Sequence, residues 1–298
     1  VVFTLLGAVG QTARNAMQRE LTPRLGALGA TLVRFLFGFP FAMLFLGAVL
    51  AWTGGPLPPA NMAFALWTLV GASSQIAATA LMLLTMEHRS FVVTVAYLKT
   101  EPLQVAVLGL VFLGDPLTAL SAIAILTAMA GVALISIKPG ALAGGASSSN
   151  MTPALLGLSS AALFAMSAIG YRGAILALHA KGFLLPATFS LAVGLTLQTL
   201  LLMTWLLLFK RRTLVTILGL WRPSLLAGFA GAAGSQMWFL AFALATAASV
   251  RTLALVEVLF AQAVSRFFFK QKTSPRELAG IALLVAGAAL IVYANPDG

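Results

Sequence analysis

Runs of about 20 apolar residues, separated by short polar breaks, fill this 298-residue chain from end to end, and a segment of that kind has one physical home, the hydrocarbon core of a bilayer. Backbone groups in hydrocarbon must be hydrogen-bonded within the chain, so only helices or a closed barrel can span. The runs are too long and too uniformly apolar for barrel strands. Charged residues make up 8% of the chain and mean hydropathy is +1.02, about a third of the charge density of a soluble globular protein. The expected class is an all-α membrane protein with ten transmembrane helices, over 1–20, 25–51, 60–84, 91–113, 118–137, 153–178, 184–209, 224–246, 249–269 and 275–294.

The breaks carry turn chemistry: Leu21-Thr22-Pro23, Gly54-Gly55-Pro56, Gly114-Asp115-Pro116, Pro139-Gly140 and Ser274-Pro275. The longest, Gly144 to Asn150, lies in a flexible linker over 138–152 that divides a first five-helix unit, 1–137, from a second, 153–298. The units echo each other. At a shift of 156, Glu101 falls on Glu257, Phe112 on Phe268 and Gly131-Val132-Ala133-Leu134-Ile135 on Gly287-Ala288-Ala289-Leu290-Ile291. Ala72-Ser73-Ser74-Gln75 matches Ala233-Gly234-Ser235-Gln236 at a slightly different shift. Five helices is an odd number, so the second copy must enter the membrane upside down: two inverted five-helix repeats around a central cavity.

Basic residues give the orientation. Loops after odd-numbered helices, with their helix ends, hold Arg19, Arg24, Arg89, Lys138, Lys210, Arg211, Arg212, Arg222, Lys270, Lys272 and Arg276, and those after even-numbered helices hold Arg172 and Lys181. The richer side is expected in the cytoplasm and both termini outside. The net charge of +11 is thus a topology signal, and no nucleic-acid partner is expected. The chain opens Val1-Val2-Phe3 inside an apolar run, without the charged region of a signal peptide, which leads us to expect a trimmed N-terminus.

The ionic residues whose burial within the spans would be costly without a purpose are Arg14, Arg34, Lys99, Glu101, Arg251, Glu257 and Arg266. Each would cost at least ~2.5 kcal/mol facing lipid at a helix centre, so they are expected to face the bundle interior and to border a wet path shared by the two halves. Glu101 stands beside Pro102, whose missing amide frees a carbonyl at mid-depth, the signature of a broken helix. Glu101 and its repeat mate Glu257 are candidates for a proton, cation or substrate amino group, or for salt bridges to Lys99, Arg14 or Arg251. Lys99 sits two residues before Glu101, about 200° around a helix, so the two must face different partners. Lys99 suits either an anionic substrate group or neutralisation of another buried acid, Arg34 suits either carboxylate recognition or helix bracing, and Arg14 is expected to snorkel towards headgroups.

Gln75 and Gln236 are candidates for substrate contact or interhelical glue. Tyr97, Phe164, Tyr171 and Trp238 are candidate aromatic walls, whereas Trp52, Trp67, Trp205 and Trp221 suit interface anchors. Gly71, Ala72, Ser73, Gly228, Gly231 and Gly234 favour close helix approach. Cysteine is absent, and the two histidines, His88 and His179, lie near helix ends in different halves. No metal cluster, catalytic dyad or phosphate-binding loop can be assembled, so no enzyme activity, ATP drive or cofactor is expected.

Glu101-Pro102-Leu103, Phe112-Leu113-Gly114-Asp115-Pro116-Leu117-Thr118 and Ala130 to Ile135 in the first half, with Phe268-Phe269-Lys270 through Ser274, Gly280-Ile281-Ala282 and Ala286 to Ile291 in the second, carry a further signal. In these motifs the chain resembles the drug/metabolite transporter superfamily, in particular its EamA-type bacterial permeases. The usual acid before the last helix is present as Asp115 and replaced by Gln271 in the second half. The resemblance implies an inner-membrane carrier with a central cavity that moves small organic solutes, often outward; exporters of amino acids and their metabolites, including aromatic amino-acid exporters of the YddG type, are implied candidates. Tyr97-Leu98-Lys99-Thr100 more weakly resembles the lysine region of nucleotide-sugar carriers, which implies an anionic substrate.

The expectation is a secondary transporter acting by alternating access, as a monomer or weak homodimer in membrane lipid, with Arg34, Gln75, Tyr97, Lys99, Glu101, Gln236, Trp238 and Glu257 binding a small-molecule substrate. A lipid or lipid-linked-sugar translocator, or a nucleotide-sugar-like or drug carrier of the same superfamily, is the alternative.

Overall fold

The computed structural model describes residues 1–88, 94, 97–136, 152–260 and 274–294, and every regular element among them is a helix. In chain order these are α1 (Val2–Thr53), α2 (Met62–His88), α3 (Glu101–Leu113), α4 (Ala119–Ser136), α5 (Thr152–Ala177), α6 (Leu184–Phe209), α7 (Arg211–Gly219), α8 (Trp221–Leu244), α9 (Ala247–Ala254) and α10 (Pro275–Ala294). Six segments among the described residues are long and apolar enough to cross a membrane: Glu20–Thr53 within α1, and the greater part of α2, α5, α6, α8 and α10. This is a multi-pass membrane protein. Arg89, Lys138, the linker up to residue 151, Arg266, Lys270, Gln271, Lys272 and the end of the expected span 249–269 lie outside the described residues.

Two expectations are corrected. The stretch 210–223, expected as a loop, contains the short helix α7, whose Ile217 is buried while Val215 and Leu218 are exposed. The first two expected helices form one 52-residue element, interrupted at Gly26 rather than at Leu21-Thr22-Pro23. Straight, it would be roughly 80 Å long, far more than the hydrocarbon core. Instead Gln18 Nε2 donates to the Ala30 carbonyl at 3.1 Å, although residues 12 apart on a straight helix stand about 18 Å apart. The chain therefore doubles back. Pro23 withholds an amide from the helix, and Gly26, the next glycine, takes φ 67, a region that a Cβ disfavours. Both limbs then rest on α8: a Cβ on Gly10 would lie 2.8 Å from Gly234 Cα, and one on Gly38 3.3 Å from the Gly228 carbonyl.

Small residues set other close contacts. Gly71 of α2 meets Gly170 and Tyr171 of α5, and Trp67, expected at the interface, instead covers Gly173. Trp52 and Trp221 are exposed. Between α4 and α10, a Cβ on Gly131 would fall 2.5 Å from Leu284 N and 2.6 Å from the Gly280 carbonyl; one on Gly287 would fall 2.5 Å from Ala128 N and 2.8 Å from the Ala124 carbonyl. At the shift of 156, positions 124, 128 and 131 are the mates of 280, 284 and 287, so the contact is reciprocal, as for elements related by a twofold axis. Gly131→Ala and Gly287→Ala are accordingly expected to destabilise by similar amounts, about 1–3 kcal/mol each, in denaturant unfolding of detergent-solubilised protein. A large loss from one and none from the other would show that the reciprocity is superficial.

Two helix interruptions obey the same shift. A turn at Lys99-Thr100, with Thr100 N donating to the Tyr97 carbonyl at 3.1 Å, precedes the start of α3 at Glu101. Another at Leu255-Val256, with three-residue bonds from Leu255 N to Thr252 O and from Val256 N to Leu253 O, both 3.1 Å, precedes a helical turn starting at Glu257. Pro102 explains the first, since it has no amide to give the preceding turn. The second has Val258 at the equivalent place, and no residue there explains it. Each break delivers a glutamate to the first turn of a helix.

Candidate functional site

The two broken spans meet and exchange charges. Lys99 Nζ pairs with Glu257 Oε1, and Arg251 Nε stands 3.0 Å from Glu101 Oε1, close enough for an ion pair though not aligned as a hydrogen bond. Lys99 and Glu101 thus face different partners, as their spacing requires. Thr12 Oγ1 donates to Glu257 Oε2 at 3.3 Å and Arg251 Nη1 to Gln11 Oε1 at 3.4 Å, which ties the first limb of α1 to the same cluster. The Arg251 guanidinium lies 4.4 Å from the Trp238 ring centroid and 5.4 Å from that of Phe242. A cation held between rings and one carboxylate is balanced in charge, although its Nε makes no hydrogen bond.

Beside this cluster is a polar cavity walled by Gln11, Arg14, Arg34, Gln75, Phe164, Ser167, Ala168, Tyr171, Ser235, Trp238, Phe239, Phe242 and Arg251. Of the expected site residues, Arg34, Gln75 and Trp238 line it, and Glu101 touches its wall through Arg251. Lys99 and Glu257 form the neighbouring pair. Tyr97 packs on Gly157 of α5, and Gln236 turns away to donate to Thr188 Oγ1 at 2.8 Å. Phe164 and Tyr171 are wall residues, with Tyr171 4.6 Å from Phe239 ring to ring. Arg14 is 3% exposed in the wall rather than snorkelling to the surface, because its stem lies across Gly231, beside that of Arg34. Among the described residues this cavity is narrower than the broad wet path expected from the sequence: both glutamates beside it are ion-paired, and about 10 Å³ is open to the centre of a water molecule, room for roughly one.

The residues 1–137 match the family model described as EamA-like transporter family. The chain resembles that family over its first 137 residues. The family so matched is one of membrane transporters of the drug/metabolite transporter superfamily. A solved structure titled "Crystal structure of protein" is similar at a TM-score of 0.66 and 13% identity, over 99% of this chain and 97% of that one; the likeness shows the fold alone. No curated protein matches in sequence.

Sequence reasoning missed two parts of this EamA-like site. Gln198 in α6, 1% exposed, donates to Gln75 Oε1 at 2.8 Å and fixes the amide that faces the cavity. The signal was there, a lone amide in the middle of an apolar helix. The other part is Arg172 near the end of α5. Its Nε and Nη2 each lie 3.2 Å from an Asp115 carboxylate oxygen, a bidentate pair, while Nη1 donates to the carbonyls of Phe242, at 2.7 Å, and Ala245. One guanidinium therefore binds the turn after α3 to the C-terminal end of α8, where free carbonyls and the helix dipole favour a cation. Phe242 is also a cavity wall, so this latch adjoins the cavity. Arg172→Ala is expected to raise the labelling rate of a single cysteine placed at Ser235 by about tenfold, the equivalent of one lost charge-assisted hydrogen bond. An unchanged rate would mean that the latch does not limit access.

Proposed function

We propose that this EamA-like protein is a secondary carrier or facilitator that moves amino acids or related small organic metabolites across the bacterial inner membrane by alternating access. Two inverted five-helix units, 1–137 and 153–298, rock about the central cavity. Both ends described lie on the outer side, so that the basic loops face the cytoplasm. The observation that carries the reading is the cluster where the units meet: a buried polar cavity flanked by two ion pairs, Lys99–Glu257 and Arg251–Glu101, each joining a broken helix of one unit to a broken helix of the other. Contacts of that kind must part when the units separate on one side, and breaking them is thermodynamically tolerable only if substrate or water replaces the partners. The family match to 1–137 and the reciprocal contact of α4 with α10 support the repeat.

The test is counterflow. Proteoliposomes preloaded with single unlabelled amino acids or their metabolites are expected to draw in the labelled solute transiently, with saturation, and protein-free vesicles are not. Scrambling of a labelled lipid by the protein, with no counterflow of any small solute, would favour the lipid translocator instead.

A further inference from the structure

We propose that the cavity takes an organic monocarboxylate, with Arg34 holding the carboxylate and the aromatic wall covering the apolar body. The proposal rests on the carrier reading above and narrows its substrate class to anions without an amino group. Arg34 is 2% exposed. The protein partners of its guanidinium are two hydroxyls at the long end of hydrogen-bond range, Thr79 Oγ1 at 3.4 Å and Ser235 Oγ at 3.5 Å, with the Phe35 ring 5.0 Å away. Its Nε has no hydrogen-bond partner among the described residues. Three other basic groups near the cavity have acidic partners: Arg251 has Glu101, Lys99 has Glu257 and Arg172 has Asp115. Of the seven acidic residues of the chain, six are described, and none of these lies within 4.0 Å of Arg34.

Two more buried groups on the same wall lack a protein partner, Ser167 Oγ and Trp238 Nε1. Both can donate, as can Arg34 Nε, so the wall offers donors that only an acceptor-rich ligand satisfies together. A carboxylate, planar and able to accept two parallel bonds from a guanidinium, fits that demand. Among the described residues no acidic side chain lines the cavity, so an ammonium group would find no counter-charge in that wall, and a zwitterion would bring an unpaired cation into a basic site. Phe164, Tyr171, Trp238 and Phe242 supply flat apolar surface for a ring or chain. Since the space seen admits about one water, such a ligand reaches Arg34 once the walls part, the motion alternating access supplies.

The experiment is titration calorimetry on the purified, detergent-solubilised full chain with phenylacetate, phenylacetamide, phenylalanine and inorganic phosphate as probes. Phenylacetate is expected to bind about tenfold or more tightly than the other three, the least that one charge-assisted contact provides. Arg34→Gln is expected to reduce phenylacetate to the level of phenylacetamide and leave the amide unchanged, and Arg34→Lys to retain part of the preference. A merely structural role would weaken acid and amide alike. The proposal is overturned if none of the probes binds, if the amide, phenylalanine or phosphate binds as tightly as phenylacetate, or if Arg34→Gln keeps the carboxylate preference. Should Arg34→Gln fail to fold, the wild-type series and Arg34→Lys decide. Specific phenylacetate binding without flux into proteoliposomes would sink the carrier reading and spare this site; flux of neutral or zwitterionic solutes that is indifferent to Arg34→Lys would do the reverse.

Discussion

Glu101→Gln is expected to destabilise the folded protein by about 3–5 kcal/mol and to abolish counterflow, because it strands Arg251 as a buried cation without its anion. From the sequence alone, the same substitution reads as one that alters transport with little loss of folded protein; the ion pair to Arg251 changes that expectation. Stability and function can be separated by a second change. Glu101→Gln combined with Arg251→Met removes both charges and puts an apolar side chain where the guanidinium lies against Trp238 and Phe242, so most of the lost stability should return. Transport should not return, since the pair that joins the two units is gone. Denaturant unfolding and counterflow on the same preparations measure both. Restored stability with restored flux would reduce Glu101 and Arg251 to a structural brace.

Gly228→Leu should have the largest effect of any single apolar substitution. A Cβ at Gly228 would sit 2.4 Å from the Phe37 carbonyl carbon and 2.6 Å from its oxygen, and backbone cannot swing aside as a side chain can. Relief requires the second limb of α1 to lift off α8, carrying Arg34 away from Ser235. A loss of about 3 kcal/mol or more is expected, at the upper end of overpacking costs. Gly55→Leu is the control: nothing lies within 4 Å of its Cβ, and a change within about 0.5 kcal/mol is expected. Equal thermal stability of the two variants would mean that α1 and α8 are not pressed together as described.

Much of this arrangement was legible in the residues. Apolar runs fix the helices because hydrocarbon tolerates little else, and Pro102 beside Glu101 announces a broken helix because a missing amide cannot be hidden. Partners are harder to read. That Lys99 and Glu101 diverge follows from helix geometry, whereas the pairing with Glu257 and Arg251 depends on how two distant spans cross. Arg14 was read as snorkelling because its depth suggests it; the small side of α8 at Gly231, which lets it stay inside, is visible only once the helices are assembled. Gln236 and Gln75 follow serine alike, yet one faces Thr188 and the other the cavity, a difference of rotation about the helix axis that periodicity in an all-apolar helix does not encode. The reversal at Gly26 was displaced by a few residues because proline and glycine act at different points of the same turn.

The central claim is that the cavity between the units opens alternately to the two sides of the membrane. The chain has no cysteine, so a single Ser167→Cys substitution places one thiol in the cavity wall without background. Its reaction with a membrane-impermeant maleimide, followed in right-side-out and in inside-out vesicles, should show labelling from both faces, slower than that of an exposed Thr53→Cys control from whichever face that residue occupies. Labelling of Ser167→Cys from one face alone, or from neither while the control reacts, would contradict alternating access at this site.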